Sequence, residues 1–299
     1  MKTRFDFGRF RCAIFDLDGT LLNSTDVWAK VDIDFLGKRN IEVPEDFIRK
    51  IKTHNFATGS KYVIERFNLD EKPEDIAKEW FDDVWTKEVF ANYFAALITE
   101  PLFPQVNHQL NWMKTYTAAS LSEDRTPGTT AIRQPLDNLQ NAGLIYGQII
   151  YNKAPVMMVK LVELMGKEAF REGIQEYLKT YAYANATWDD LIQILNSKTE
   201  QDLTAFSDVW VNQKGMPIIN FEVSGKQLTI HQQDPYQRGL NWPQKFNITL
   251  CGTRDTTIEA SLTDSLCRIT LPFTPTRILP NTDGRGYGLF IPDNNSLHW

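Results

Sequence analysis

Two aspartates two residues apart, Asp16 and Asp18, stand in the run Phe15-Asp16-Leu17-Asp18-Gly19-Thr20. The spacing suits phosphoryl transfer. Asp16 would attack phosphorus to give an aspartyl-phosphate, while Asp18 would protonate the leaving oxygen and later activate water. Gly19 permits the tight turn, and magnesium would bind the Asp16 carboxylate and the Asp18 backbone carbonyl while keeping several waters. Metal chemistry of another kind is harder to build. The four histidines, His54, His108, His231 and His298, include no two spaced to grip one metal from a helix face. Asp189-Asp190 is an acidic pair, but it falls at a predicted helix start, where N-terminal capping accounts for it.

The elements that must carry these residues change character along the chain. A short apolar run, Arg11 to Phe15, reads as a buried strand delivering Asp16 and Asp18 to its carboxyl end. Helical patterns follow. Pro44-Glu45-Asp46 and Pro73-Glu74-Asp75 place proline and carboxylates where a helix N-terminus favours them. From the second of these, Ile76, Trp80, Phe81, Val84, Trp85, Val89, Tyr93, Phe94, Leu97 and Ile98 recur at helical spacing, predicting one long helix with an apolar stripe. Thr187-Trp188-Asp189-Asp190 reads as a capping box, and Gly166 and Gly215 as helix stops. After Met216-Pro217 the period becomes two. Ile219, Phe221 and Val223, then Leu228 and Ile230, Phe246, Ile248 and Leu250, Ile258, Ala260 and Leu262, and Tyr287, Leu289 and Ile291 predict strands, with turns at Ser224-Gly225 and Asp283-Gly284. The fold class expected is α+β, a mainly helical N-terminal and central region followed by a small antiparallel β-sandwich.

Composition narrows the partners. The 299 residues are 42% hydrophobic and 12% aromatic, enough for real cores. A net charge of -6 gives no general field for nucleic acid or an anionic membrane, and no apolar run is long enough to span a bilayer. The expected location is cytoplasmic. Cys12, Cys251 and Cys267 are too few and too scattered for a disulfide framework or a thiolate metal site, so buried free thiols are expected.

Two resemblances attach to these motifs. Phe15-Asp16-Leu17-Asp18-Gly19-Thr20-Leu21-Leu22 resembles the first motif of the haloacid dehalogenase-like phosphatases, a resemblance that runs through residue 81. Asp82-Asp83-Val84-Trp85-Thr86-Lys87-Glu88-Val89-Phe90-Ala91-Asn92-Tyr93 resembles the zinc-ligand helix of the gluzincin aminopeptidases of the alanyl-aminopeptidase type. Tyr151-Asn152-Lys153-Ala154 is similar to that family's Tyr-x-Lys-Gly/Ala motif, and Trp210 to Pro217 to its passage from helices to sandwich. The resemblance implies that Glu88 stands at the third zinc-ligand position and that Tyr151 would steady a tetrahedral oxyanion. Three domains are then expected: residues 1-81, a partial phosphatase-like segment; 82-216, the helical part of an aminopeptidase catalytic domain; and 217-299, a β-sandwich.

Ligand counting sets what these resemblances imply for activity. The family's His-Glu-x-x-His helix, counted back from Glu88, falls on Glu65, Arg66 and Leu69, which supply neither histidines nor a general base. The phosphatase-like segment likewise lacks the later motifs that complete a magnesium site. The main expectation is therefore a composite, catalytically inactive chain, broken at Trp80 to Asp83 and incomplete for both zinc and magnesium. Two alternatives retain an enzyme: an aminopeptidase acting on peptides with zinc ligands supplied by a partner chain, or a magnesium-dependent phosphohydrolase acting on a phosphorylated small molecule through Asp16 and Asp18.

Overall fold

A computed structural model describes residues 33, 35–54, 56–73, 75–76, 84–134, 147–181 and 186–292. The strand expected at Arg11 to Phe15, both motif aspartates, the Trp80 to Asp83 break and His298 lie outside the described residues. The chain divides into two units, residues 1–70 with 181–186, and residues 71–180 with 187–299.

In the first unit, α1 (Phe47–Ile51) starts directly after Pro44-Glu45-Asp46, with Asp46 as its N-cap residue. Helix α2 (Phe56–Phe67) lays Val63 into an apolar centre shared by Phe35, Leu36 and Phe47, all fully buried. Phe47 stacks on Tyr62 and meets Phe67 edge-on, at ring-centroid distances of 6.2 and 5.4 Å. Arg66 donates to Asp46 and to the Tyr62 hydroxyl, and that guanidinium holds the Asp46 carboxyl well below the usual carboxylate range.

The second unit begins its described helices with α3 (Val84–Leu102), whose Trp85, Val89 and Tyr93 are buried at the four-residue repeat of one helix face. The stripe ends there. Leu97 and Ile98, expected to continue it, are 46% and 60% exposed. Helix α4 (His108–Trp112) runs into a π-helical turn, π1 (Met113–Thr117), and on into α5 (Ala118–Asp124). A second π turn, π2 (Ile149–Lys153), leads without a break into α6 (Ala154–Met165). Pro155 stands in the first turn of α6, directly after the π turn. Nine of the twelve residues of α6 are buried, so α6 is the central post of the helical region. Gly166 ends it at φ 92°.

Around that post stand α7 (Lys167–Thr180), α8 (Trp188–Asn196) and α9 (Leu203–Trp210). Helix α8 opens on the expected capping box: the Asp190 amide donates to Thr187 Oγ1 at 3.2 Å, and the Thr187 amide to Asp190 Oδ2 at 2.8 Å. Asp189 instead accepts from Arg133 Nη1 through both carboxylate oxygens, at 3.0 and 2.9 Å, so both members of the acidic pair have structural partners. Helices α7 and α8 come close at Gly173, where an added Cβ would collide with the Leu195 side chain at 2.5 Å.

Two sheets follow. One has the order β5-β2-β1-β7 and the other β4-β3-β6, with β1 (Ile218–Ser224), β2 (Gln227–Gln233), β3 (Gln244–Cys251), β4 (Thr256–Leu262), β5 (Leu266–Thr270), β6 (Arg277–Pro280) and β7 (Leu289–Ile291). Their common core joins Ile219, Phe221, Leu228 and Ile230 to Phe246, Ile248, Leu250, Ala260 and Leu262, the alternating positions read from the sequence. Ser224 pairs with Gln227 across a two-residue turn in which Gly225 has φ 58°. Strands β5 and β6 were not anticipated, since each is short and its burial does not alternate cleanly. All pairings are antiparallel except β7 on β1, which is parallel.

Strand β7 also corrects the expected facing. Leu289 and Ile291 are 49% and 41% exposed, whereas Phe290 packs on Phe221 and Phe246 at 6.1 and 5.1 Å. Tyr287 leaves the sandwich altogether and is fully buried in the helical core, edge-on to Trp210 at 5.9 Å. The free thiols divide likewise, Cys251 buried and Cys267 half-buried.

Candidate functional site

Helix α3 and the π2 turn bring the two peptidase-like positions into one neighbourhood. Glu88 is half-buried on α3, with Asn92 one turn further along the same face. Asn92 Nδ2 donates to the Tyr151 backbone carbonyl at 3.4 Å, tying the helix that carries Glu88 to the turn that carries Tyr151. Tyr151 is 40% exposed. Residues two apart on a helical path point to nearly opposite sides, so Tyr151 faces outward while Lys153 goes fully inward.

Lys153 is the anchor of that turn. Its Nζ lies 2.8 Å from Asp124 Oδ2, both side chains wholly buried, and donates to the Gly215 carbonyl at 2.9 Å. The Tyr287 ring stands 5.8 Å away, and Thr129 Oγ1 donates to the other Asp124 oxygen at 2.7 Å. Burial pushes the Lys153 ammonium down from its ordinary range and Asp124 pulls it back. Burial, with Asp124 adding to it, drives the Tyr287 phenol well above its ordinary range, so Tyr287 remains a neutral wall of the pair. Gly215 is required where it stands, because its φ is 88° and a Cβ would come within 2.8 Å of the Tyr236 ring. One ion pair thus fastens α5, π2 and the passage from α9 to β1 together.

Seven residues later on the same helical path Lys160 is also buried, 4% exposed, but in a different setting. Its Nζ reaches Gln244 Oε1 at 3.4 Å and the Arg285 backbone carbonyl, and it lies 5.9 Å from the Trp210 ring. It borders a cavity of about 560 Å³ between the second half of α3, the α4–π1 segment, α6 and the turn at Asp283 to Arg285. Neither buried lysine was singled out as functional in the sequence. The available signal was a lone lysine within the apolar run of α6, Val156-Met157-Met158-Val159-Lys160-Leu161-Val162.

Zinc does not fit the donors present. Among the described residues no group of three or more histidine, cysteine, aspartate or glutamate side chains could hold a metal ion. Glu65 is exposed and Arg66 is committed to Asp46. His54 stacks on Tyr62 at 4.6 Å, His108 Nε2 bonds the Phe103 carbonyl at 2.7 Å, and His231 sits in β2 paired opposite Leu266. Glu88 itself has no hydrogen bond or ion pair among the described residues. The magnesium reading rests on Asp16 and Asp18, outside the described residues. No helix is long and apolar enough to cross a membrane among the described residues.

Comparison with known proteins adds likenesses to this geometry. Residues 74–210 match the peptidase family M1 domain. The match begins upstream of the change of resemblance expected at Trp80 to Asp83 and contains Glu88, Tyr151, Lys153 and Lys160. Aminopeptidase N of Lactococcus lactis subsp. cremoris (strain MG1363) is 27% identical over 226 residues, covering 75% of this chain and 26% of that protein. Aminopeptidase N of Lactobacillus delbrueckii subsp. lactis is 30% identical over 159 residues, 53% of this chain and 19% of the relative. Leucyl aminopeptidase of Saccharolobus solfataricus is 26% identical over 192 residues, with 61% and 24% covered. The chain therefore spans about a fifth to a quarter of the length of these curated relatives. Together the domain match and the aminopeptidase relatives support a gluzincin, M1-type aminopeptidase segment in this protein.

Proposed function

We propose that this chain is a metallo-aminopeptidase component that acts on peptide N-termini with zinc ligands supplied by a partner chain. The observation that carries the reading is the joining of α3 to π2: the Asn92–Tyr151 contact sets Glu88 and Tyr151 in one neighbourhood, inside the segment that matches the M1 domain. Zinc would supply the activated water of the family's chemistry. This chain would supply Glu88 as one carboxylate ligand and the Tyr151 phenol, 40% exposed and so within reach of a peptide, as hydrogen-bond donor to the developing oxyanion. One carboxylate does not retain zinc against water, so the remaining ligands must come from elsewhere. The test is zinc content and alanyl-arylamide cleavage with and without a protein that supplies a His-Glu-x-x-His helix. Activity only in the mixture, lowered at least ~100-fold by Tyr151→Phe, supports the proposal; absence of both zinc and cleavage from every mixture ends it.

The ligand count favours a second reading, a composite chain that is inactive as it stands, with an N-terminal phosphatase-like fragment. Metal-dependent peptidase or phosphatase activity from the purified chain alone would dispose of it. If aryl-phosphate hydrolysis appears with magnesium and Asp16→Asn abolishes it, the phosphohydrolase alternative takes its place.

A further inference from the structure

The cavity beside Lys160 raises a question of charge. An ammonium carries three N–H donors, and Lys160 spends two of them on neutral oxygens, those of Gln244 and the Arg285 backbone. Among the described residues no carboxylate is in ion-pair contact with it. The nearby acids are turned elsewhere: Glu163 Oε1 faces Arg285 Nε at 3.4 Å, and Asp283 accepts the Asn247 amide at 3.1 and 3.2 Å while lying 3.9 Å from Arg285 Nε. Glu100, His108 and Lys167 border the same cavity without contacting Lys160. A buried cation in direct contact only with neutral oxygens is costly even though Glu163 and Asp283 nearby favour its charge, and a bound anion at that point would offset part of the cost.

One stretch of the remaining wall is apolar and aromatic, beside polar residues such as Asn92, Thr99, Gln109 and Asn111. Trp112 and Tyr116 pack at 4.3 Å between ring centroids in that stretch, with Tyr93, Leu97 and Val159 also facing the cavity. A volume of about 560 Å³ is in the range of small-molecule sites. We infer that this cavity binds a small organic monocarboxylate with an apolar or aromatic body, its carboxylate on Lys160 and its body against Trp112 and Tyr116. Neither Glu88 nor Tyr151 borders the cavity, although Asn92, which ties their two segments together, does.

The experiment titrates the full chain at pH 7 with 3-phenylpropionate, 3-phenylpropanol and 3-phenylpropylamine by calorimetry, with thermal shift as a second readout. Saturable binding of the carboxylate is expected, at least ~10-fold tighter than the alcohol, with no binding of the amine. Lys160→Met should weaken the carboxylate by about 10-fold or more, and Ala96→Trp, which fills the cavity from α3 without touching the charge, should block it. Equal affinity for alcohol and carboxylate, no saturable carboxylate binding at millimolar concentration, or unchanged binding by a folded Lys160→Met protein overturns the proposal. Should Lys160→Met fail to fold, the carboxylate–alcohol comparison and Ala96→Trp decide it.

Discussion

Lys153 and Lys160 lie two helical turns apart on one path, both buried, and they are stabilised in opposite ways. Lys153 has a buried counter-ion, a carbonyl and an aromatic wall, all from segments that its side chain pulls together. Lys160 has two neutral acceptors and an adjoining cavity. The first arrangement is closed and structural, since every partner is protein. The second leaves an ammonium whose compensation is incomplete, the condition in which a ligand can contribute. Burial alone therefore says little about a charged residue; the identity of its partners separates a fastening from a site.

The largest effect should come from breaking the closed pair. Lys153→Met leaves Asp124 buried without its cation, and urea denaturation should show a loss of about 3–5 kcal/mol. A loss under ~1 kcal/mol would mean that Asp124 is compensated by other groups, and the contrast with Lys160 would fail. The double variant Lys153→Met with Asp124→Leu should recover most of that loss, because no buried charge remains; double-mutant analysis measures the coupling.

Next in size is a pH effect at Lys160. Burial pushes its ammonium down to about 8, while Glu163 and Asp283 favour the charged form and Arg285 opposes it. In the unfolded chain the group keeps its proton up to about 10.5. The penalty of burying the cation is thus fully present below pH ~8 and is relieved as pH rises from ~8 to ~10.5. At ~1.4 kcal/mol per pH unit the wild type should gain ~2–3 kcal/mol across that window relative to Lys160→Met. Lys153 titrates in the same direction in both proteins, so the difference isolates Lys160. Parallel stability curves would show that Lys160 is not penalised.

Near pH 7 the same Lys160→Met substitution should be neutral or stabilising, by up to ~1–3 kcal/mol in denaturant melts. Gln244 Oε1 keeps the Tyr287 amide as a donor at 2.8 Å, so little is left unsatisfied. The smallest effect belongs to Tyr151→Phe, where 40% exposure predicts a stability change within ~0.5 kcal/mol. A larger loss would make Tyr151 part of the fastening rather than something the fastening presents.

Much of the fold was legible because local rules agree with tertiary packing at those places. The Thr187 capping box, the stop at Gly166, the Gly225 turn and the alternating inward residues of β1 to β4 follow from short-range geometry. The candidate site was legible only as motif positions. Their juxtaposition depends on Asn92 meeting Tyr151 from 59 residues away, and the exposure of Tyr151 on which side of π2 packs into the core. Strand β7 shows the limit of periodicity. Alternation marks two faces, but Phe290 faces the core because the parallel register with β1 sets it opposite Ile219, between Phe221 and Phe246.

By itself the sequence determined the order of helices then strands, the ends of several elements and a ligand inventory without a histidine pair, since each depends on residue type and near neighbours. The tertiary structure decided which lysine is fastened and which faces a cavity. Lys153 meets a carbonyl 62 residues away and Lys160 an amide oxygen 84 residues away. Burial cost and its compensation are set by what surrounds a charge in space, and only folding brings those groups together.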